Sequence, residues 1–292
     1  MEYSKISIVT PVFNQVKYIE ETIQSILSQG YPNLEYIIID GGSTDGTVDI
    51  IKKYESQIAY WVSEPDKGMY DALQKGFDHS TGEIMGWLNA DDLYFKGSLF
   101  HLANIFSNYK QINWLTGSNT HIDEDGNILL NIPCRRFNKY QYLNGDYMWI
   151  AQESTIWRRS LWEKAGAKLS TGLKAAADFE LWLRFFQYDT LYFVSNCIGM
   201  FRHRKGQISE QLEAYLSEVD EVYSKLKISD ADQKIIDTYK QKKKIANWIN
   251  KLRIINGNKI VRLRTFEKRY LSVPPTLVWS DDIEGYNFNE NE

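Results

Sequence analysis

Along the first ~110 residues, short apolar runs alternate with segments of helical spacing. Residues 5–9 form a β-branched run that Pro11 is expected to stop, with Asn14 placed to cap the next helix. Tyr18, Ile23, Ile26 and Leu27 then fall at helical spacing, and Gly30 with Pro32 ends that segment. A second apolar run, 35–39, closes on Asp40 and a Gly-rich turn over 41–47, whose Ser and Thr favour a helix at 48–54. A third strand is expected at 58–62, a helix at 69–77, and a fourth strand at 84–88 that ends in Asn89, Asp91 and Asp92.

Strand and helix alternating in this way predict an α/β fold, with a mostly parallel sheet flanked by helices. In such sheets ligands bind beyond the carboxyl ends of the strands, the edge that Asp40 and Asp91 share. Adjacent carboxylates repel unless something neutralises them, and a divalent metal carrying a phosphate would do so. The plainer reading of Asp91 and Asp92 is a helix cap followed by a surface acid, ahead of a helix at 95–106.

The second half is less regular. Strands are expected at 113–121 and 128–132 around a turn at 123–127, then at 154–157, 191–194 and 198–201. The stretch 135–145 has no clear period. A short helix is expected at 160–165, and Ala175 to Asp178 open a helix whose apolar face carries Leu181, Trp182 and Phe185. Arg202 to Gly206 read as a basic loop. From Ser209 to about Ile255 the chain is polar and helical. The stretch 240–269 is rich in Lys and Arg against one acid, Glu267, and Ile245, Trp248, Ile249 and Leu252 share a helical face within it. The organisation expected is therefore 1–205 as the main domain, 206–270 as a basic helical extension and 271–292 as a flexible acidic tail.

Composition narrows the classes. With 43% hydrophobic and 25% charged residues the chain has an ordinary globular profile, and a net charge of −4 carries no nucleic-acid signature. Cys134 and Cys197 lack metal-ligand spacing and read as buried or incidental thiols. No leader and no apolar run of transmembrane length is visible, so a cytoplasmic location is expected.

Four segments carry a resemblance: Thr10-Pro11-Val12-Phe13-Asn14, the run from Asp40 to Thr47, Leu88-Asn89-Ala90-Asp91-Asp92, and the run from Ala177 to Arg184. In this order they resemble the family 2 glycosyltransferases, which have the nucleotide-sugar-binding GT-A fold. The run from Ser63 to Ala72 looks like a bacterial branch that builds surface polysaccharide. The resemblance covers roughly residues 5–205.

The resemblance implies an inverting transferase that moves a sugar from a nucleotide-sugar donor, a UDP-sugar being expected, to a saccharide or lipid-linked saccharide acceptor. It implies a divalent cofactor, Mg2+ or Mn2+, with Asp92 as the preferred ligand and Asp91 as ribose or metal partner. Asn89 stands where the family often has an acid. Asp40 would accept from the base, framed by Thr10, Pro11 and Phe13. Asp66, Lys67 and Asp71 would lie near the donor sugar and diphosphate. Asp178 would be the general base, with Glu180 the weaker choice, and Gln152 and Glu153 would stand on the acceptor side. His203 would reach the metal or diphosphate, or else be a surface residue, and Arg202 and Arg204 have the same two readings. The basic stretch 240–269 either packs on the main domain through Trp248 and Leu252 or meets an anionic membrane at the inner face. A transferase acting on a lipid phosphate and a non-catalytic nucleotide-sugar-binding protein are the alternatives.

Overall fold

The computed structural model describes residues 3–133, 136, 138–144, 150–207, 210–254, 274–280 and 285–289. Four parallel strands form one half of its sheet: β1 (Ile6–Val12), β2 (Leu34–Asp40), β3 (Tyr60–Ser63) and β4 (Ile84–Trp87), in the order β3-β2-β1-β4. Their crossovers are α1 (Ile19–Leu27), α2 (Thr47–Lys53) and α3 (Met69–His79). Successive side chains of a strand point to opposite faces. Ile8 and Ile38 therefore enter one core, and Val9, Ile37 and Ile39 the other. Burial on both faces is why these strands read as continuous apolar runs.

Beyond β4 the sheet becomes mixed. The further strands are β5 (Leu93–Tyr94), β6 (Trp114–Ile122), β7 (Ile128–Ile132), β8 (Thr155–Arg158) and β9 (Tyr192–Arg202), with α4 (Ser98–Asn108), α5 (Lys139–Leu143), α6 (Arg159–Lys164) and α7 (Ala177–Tyr188) between them. β8 lies antiparallel between β4 and β6, and β9 runs parallel to β6. β5 and β7 attach to β9 and β6 respectively. This is the α/β class expected, with a central sheet flanked by helices.

Beneath the carboxyl end of β4 lies a layer of tryptophans. Trp87 of β4 stacks on Trp182 of α7, with ring centroids 5.9 Å apart and planes 10° from parallel. Trp114 and Trp157 complete the layer, and all four are buried. Trp87 is two residues before Asn89, and Trp182 is one helical turn after Asp178. The stack therefore brings the first turn of α7 to the end of β4.

Several local expectations change. Pro11 lies inside β1 rather than ending it, because pairing with β4 stops at Val9 and the missing N–H faces that open side. Asn14 does not cap α1, whose cap position is Tyr18. Asn14 adopts a left-handed φ of 50°, and its Oδ1 accepts from Thr44 N at 2.9 Å. The two strands expected between 191 and 201 are one, β9. Within 135–145, where no period was visible, Asn138 starts α5 through a reciprocal cap with Gln141. Cys134 lies outside the described residues.

The helical extension is tied to the main domain. Val219 of α8 (Leu212–Lys225) and Ile236 of α9 (Asp230–Ile254) are buried in the core that holds α7. Packing through Trp248 does not occur, since that side chain is 64% exposed, and the side chain of Leu252 lies outside the described residues. The stretch expected as a flexible tail contains β10 (Thr276–Ser280) and β11 (Gly285–Asn289), which extend the sheet from β9. No described helix is long and apolar enough to cross a membrane.

Candidate functional site

The carboxyl ends of β1, β2 and β4 meet at one edge. Asp40 ends β2 and is wholly buried. Its Oδ2 accepts from Gly42 N at 3.1 Å, Ser43 N at 2.9 Å and Ser63 Oγ at 2.6 Å, and its Oδ1 accepts from Ser43 Oγ. Those bonds shape the Gly-rich turn and join it to β3. The carboxylate expected to meet the base is thus spent on the loop around it.

The space above this turn belongs to Asp66. A Cβ on Gly41 would stand 2.6 Å from Asp66 Oδ2, so a side chain there would displace the Asp66 carboxylate from the end of β2. Asp66 Oδ1 accepts from Gly68 N at 2.7 Å, and Asp71 Oδ2 accepts from Lys67 N at 3.1 Å. Asp66 and Asp71 therefore build a turn that leaves Lys67 exposed. Of the framing residues, Thr10 is buried and bonded to the Tyr36 hydroxyl at 3.1 Å, and Pro11 is buried. Phe13 is 58% exposed and offers a ring at this edge.

Asp91 and Asp92 have different surroundings. Asp92 is buried, its Oδ1 accepting from Arg202 N at 2.9 Å and its Oδ2 from Asn89 Nδ2 at 3.2 Å. Burial, reinforced by the charges of Asp91 and Glu153, pushes its carboxyl well above the usual range. Each Asp92 oxygen accepts one hydrogen bond and keeps a lone pair that a cation could use. Asp91 is 8% exposed, and its Oδ2 accepts from Arg204 Nε at 2.6 Å.

Gln152 and Asn89 act together. Asn89 Nδ2 also donates to Gln152 Oε1 at 3.2 Å, while Gln152 Nε2 donates to the Trp87 carbonyl at 2.8 Å. Asn89 thus holds Asp92 and is itself held by the turn before β8, a positioning role that its single motif could not reveal. That turn is fixed by close packing, since a Cβ on Gly199 would stand 2.2 Å from the Glu153 carbonyl oxygen.

Two buried carboxyls lie on the far side. Glu153 Oε1 and Asp178 Oδ1 are buried without a hydrogen-bond partner. Burial, with a contribution from Asp178, raises the Glu153 carboxyl to about 7. Burial, with a contribution from Glu218, raises Asp178 to about 6. Asp178 sits in the first turn of α7, not at its cap. Just ahead of α7, the carboxylate of Glu218 on α8 accepts from the N–H groups of Lys174, Ala175 and the cap residue Ala176 at 2.8, 2.8 and 2.9 Å. Glu180 pairs with Arg184 at 2.7 Å and is not available as a base.

The basic segment after β9 divides into separate roles. Arg202 is fully buried and reaches Glu21 at 2.7 Å and the Asp91 carbonyl at 2.7 Å, which removes it from the expected basic loop. His203 Nε2 lies 2.6 Å from His121 Nδ1, so its ring is directed at a second histidine. The Arg204 side chain reaches the Asp91 carboxylate. Beside it opens a cavity of about 430 Å³ lined by Glu124, Phe201, His203, Lys205 and Gln207.

Among the described residues no cluster of three or more His, Cys, Asp or Glu side chains could enclose a metal. A hard divalent cation does not need one, since Mg2+ is commonly held by one or two carboxylates with substrate phosphates and water. The adjacent carboxylates of Asp91 and Asp92 are the groups that would hold it.

The profile of glycosyl transferase family 2 matches residues 7–164. An uncharacterized glycosyltransferase of Rickettsia typhi is 28% identical over 229 residues, covering 75% of this chain and 70% of its own. TuaG of Bacillus subtilis, a glycosyltransferase named for teichuronic acid biosynthesis, is 37% identical over 97 residues, or 32% of this chain and 38% of its own. The solved S. aureus TarS 1-349, in complex with UDP-GlcNAc, has a similar fold, with a TM-score of 0.64 at 17% identity over 91% of this chain and 78% of its own. A Pyrobaculum calidifontis mannosyltransferase solved with GDP-Man and Mn2+ gives 0.59 at 18% identity over 81% and 68%. With more than half of its length matched, the chain belongs to glycosyl transferase family 2 and is a glycosyltransferase.

Proposed function

We propose that the protein is an inverting, metal-dependent transferase that moves a sugar from a nucleoside-diphosphate donor, a UDP-sugar, to a hydroxyl of a saccharide acceptor. The observation that carries this reading is the line of acids along one sheet edge. At one end Asp91 and Asp92 stand beyond β4, and at the other Asp178 has an unpartnered, buried oxygen. Glu153 couples the two ends electrostatically.

The roles follow from the chemistry. Phe13 stacks on the base, and Asp66 with Lys67 and Asp71 faces the donor. Asp91, with Asp92 beside it, would hold a divalent cation, Mg2+ or Mn2+, which would supply charge to offset that growing on the leaving diphosphate. Asp178 takes the proton of the acceptor hydroxyl, for which a carboxyl at about 6 is well matched near neutral pH. The acceptor oxygen bonds to the anomeric carbon as its bond to the diphosphate oxygen breaks, so a single in-line displacement inverts the centre. The TarS and mannosyltransferase complexes with nucleotide sugars, and the teichuronic acid relative, support this donor class and a role in bacterial surface polysaccharide. Within that role a lipid-linked saccharide is the acceptor, and the location is cytoplasmic.

The experiment is a screen of nucleotide sugars with Mn2+ or Mg2+, reading the released nucleoside diphosphate. The expected result is release from a UDP-sugar that depends on the metal and increases with an oligosaccharide acceptor. Tight donor binding without any release, across metals and acceptors, would overturn the reading in favour of a binding protein.

A further inference from the structure

The strongest feature left over lies on α9. Its second half carries Lys240, Lys242, Lys243, Lys244, Lys251 and Arg253, with no acid after Asp237, in a chain of net charge −4. Ile245 and Trp248, three residues apart on one face, are 57% and 64% exposed. Among the described residues, the helix is anchored at its start, where Ile236 is buried and Asp232 pairs with Lys139 at 2.8 Å. From Ile236 to Trp248 it rises about 18 Å along its axis. Lys240 and Lys244 are exposed on this arm.

A helix made only for water gains nothing by exposing an indole beside an isoleucine. Cations alone would suit any polyanion, but an apolar pair among them suits a surface that is anionic outside and apolar beneath. Trp prefers the headgroup level of such a surface, with its ring in the apolar boundary and its N–H in the wet layer. Lysines keep their stems along the apolar boundary and their ammonium groups among phosphates. Nucleic acid would use the charge and leave Ile245 without a partner.

We propose that the second half of α9 docks on an anionic phospholipid surface, Trp248 and Ile245 entering the boundary between headgroups and acyl chains. This adds a partner to the transferase reading, and its test involves no turnover, so either can fail alone.

The full chain is cosedimented with vesicles of phosphatidylcholine containing roughly 30% phosphatidylglycerol, and with phosphatidylcholine vesicles alone. Binding is expected to the first and to be at least tenfold weaker to the second. Each lysine near the surface contributes roughly fivefold, so a K242Q/K243Q/K244Q variant should bind about a hundredfold more weakly. I245S/W248A should lose at least tenfold with circular dichroism unchanged, since neither side chain is in the core. No binding to anionic vesicles, or full binding by I245S/W248A, overturns the proposal. So does binding to duplex DNA as tight as to the vesicles, with I245S/W248A unchanged on both.

Discussion

Arg204 donates from Nε to Asp91 Oδ2 at 2.6 Å, which places a guanidinium on one of the carboxylates that would hold a cation. Two positive groups compete for one acid, and a diphosphate would draw Arg204 away as the metal arrives. Arg204→Ala should therefore tighten Mn2+ binding to the donor-free protein, measured by calorimetry, and slow donor turnover by about 10- to 100-fold. Asp91→Asn should abolish both metal binding and turnover. A variant at Asp91 with full metal-dependent release would remove the assignment.

Asp178 links activity to pH and to stability. As the base it works ionised, so kcat/KM, which reports the free protein, should rise through pH of about 6 and level above it. Its folded value lies above the ordinary 3.8, so the folded state holds the proton more tightly than the unfolded one. The contribution of Asp178 to stability is then complete below that ordinary value and falls as pH rises to about 6. Asp178→Asn should lower kcat by about 10²- to 10⁴-fold yet raise the melting temperature by about 2–4 °C at pH near 7.5, and not at pH near 4. An Asn variant with full activity would point to an acceptor already ionised, such as a lipid phosphate.

Restoring the acid that the family often has at position 89 should harm this protein. Asn89 gives its amide hydrogens to Asp92 and Gln152, and an aspartate there would set a carboxylate against the Asp92 oxygen. Asn89→Asp is expected to cost about 1–3 kcal/mol near neutral pH, measured by urea unfolding, with part of the loss recovered near pH 5.

Gly199 is the packing counterpart. Gly199→Ala drives a methyl to within 2.2 Å of the Glu153 carbonyl oxygen, which belongs to backbone and cannot turn aside. A loss of about 1–3 kcal/mol is expected in the same assay, with reduced turnover because the turn bearing Gln152 shifts.

Much of the first half was legible because its signals are local. Period two against period 3.6, and acids closing β2 and β4, gave both the parallel sheet and the edge where Asp91 stands. The support of that edge was hidden because it comes from far along the chain. Gln152 reaches Asn89 across 63 positions, Glu218 of α8 holds the segment leading into α7, and β9 pairs with a strand nearly 80 residues earlier. Asp40 shows another limit: its carboxylate accepts four hydrogen bonds from its own turn and from β3, and no spacing records that. Trp248 shares its periodicity with core residues, and only its surroundings distinguish it.

The topology also orders assembly in time. β1 to β4 pair among themselves within the first 87 residues and need only short loop closures. β6 cannot complete its ladders until β8 and β9 have been made, and β10 and β11 join later still. During synthesis the parallel half can form while the wall that carries Glu153, Asp178 and Arg204 is unbuilt. A nascent chain halted near residue 150 would already hold the turn around Asp40, yet lack Gln152, Arg202 and Arg204, which hold Asn89, Asp92 and Asp91.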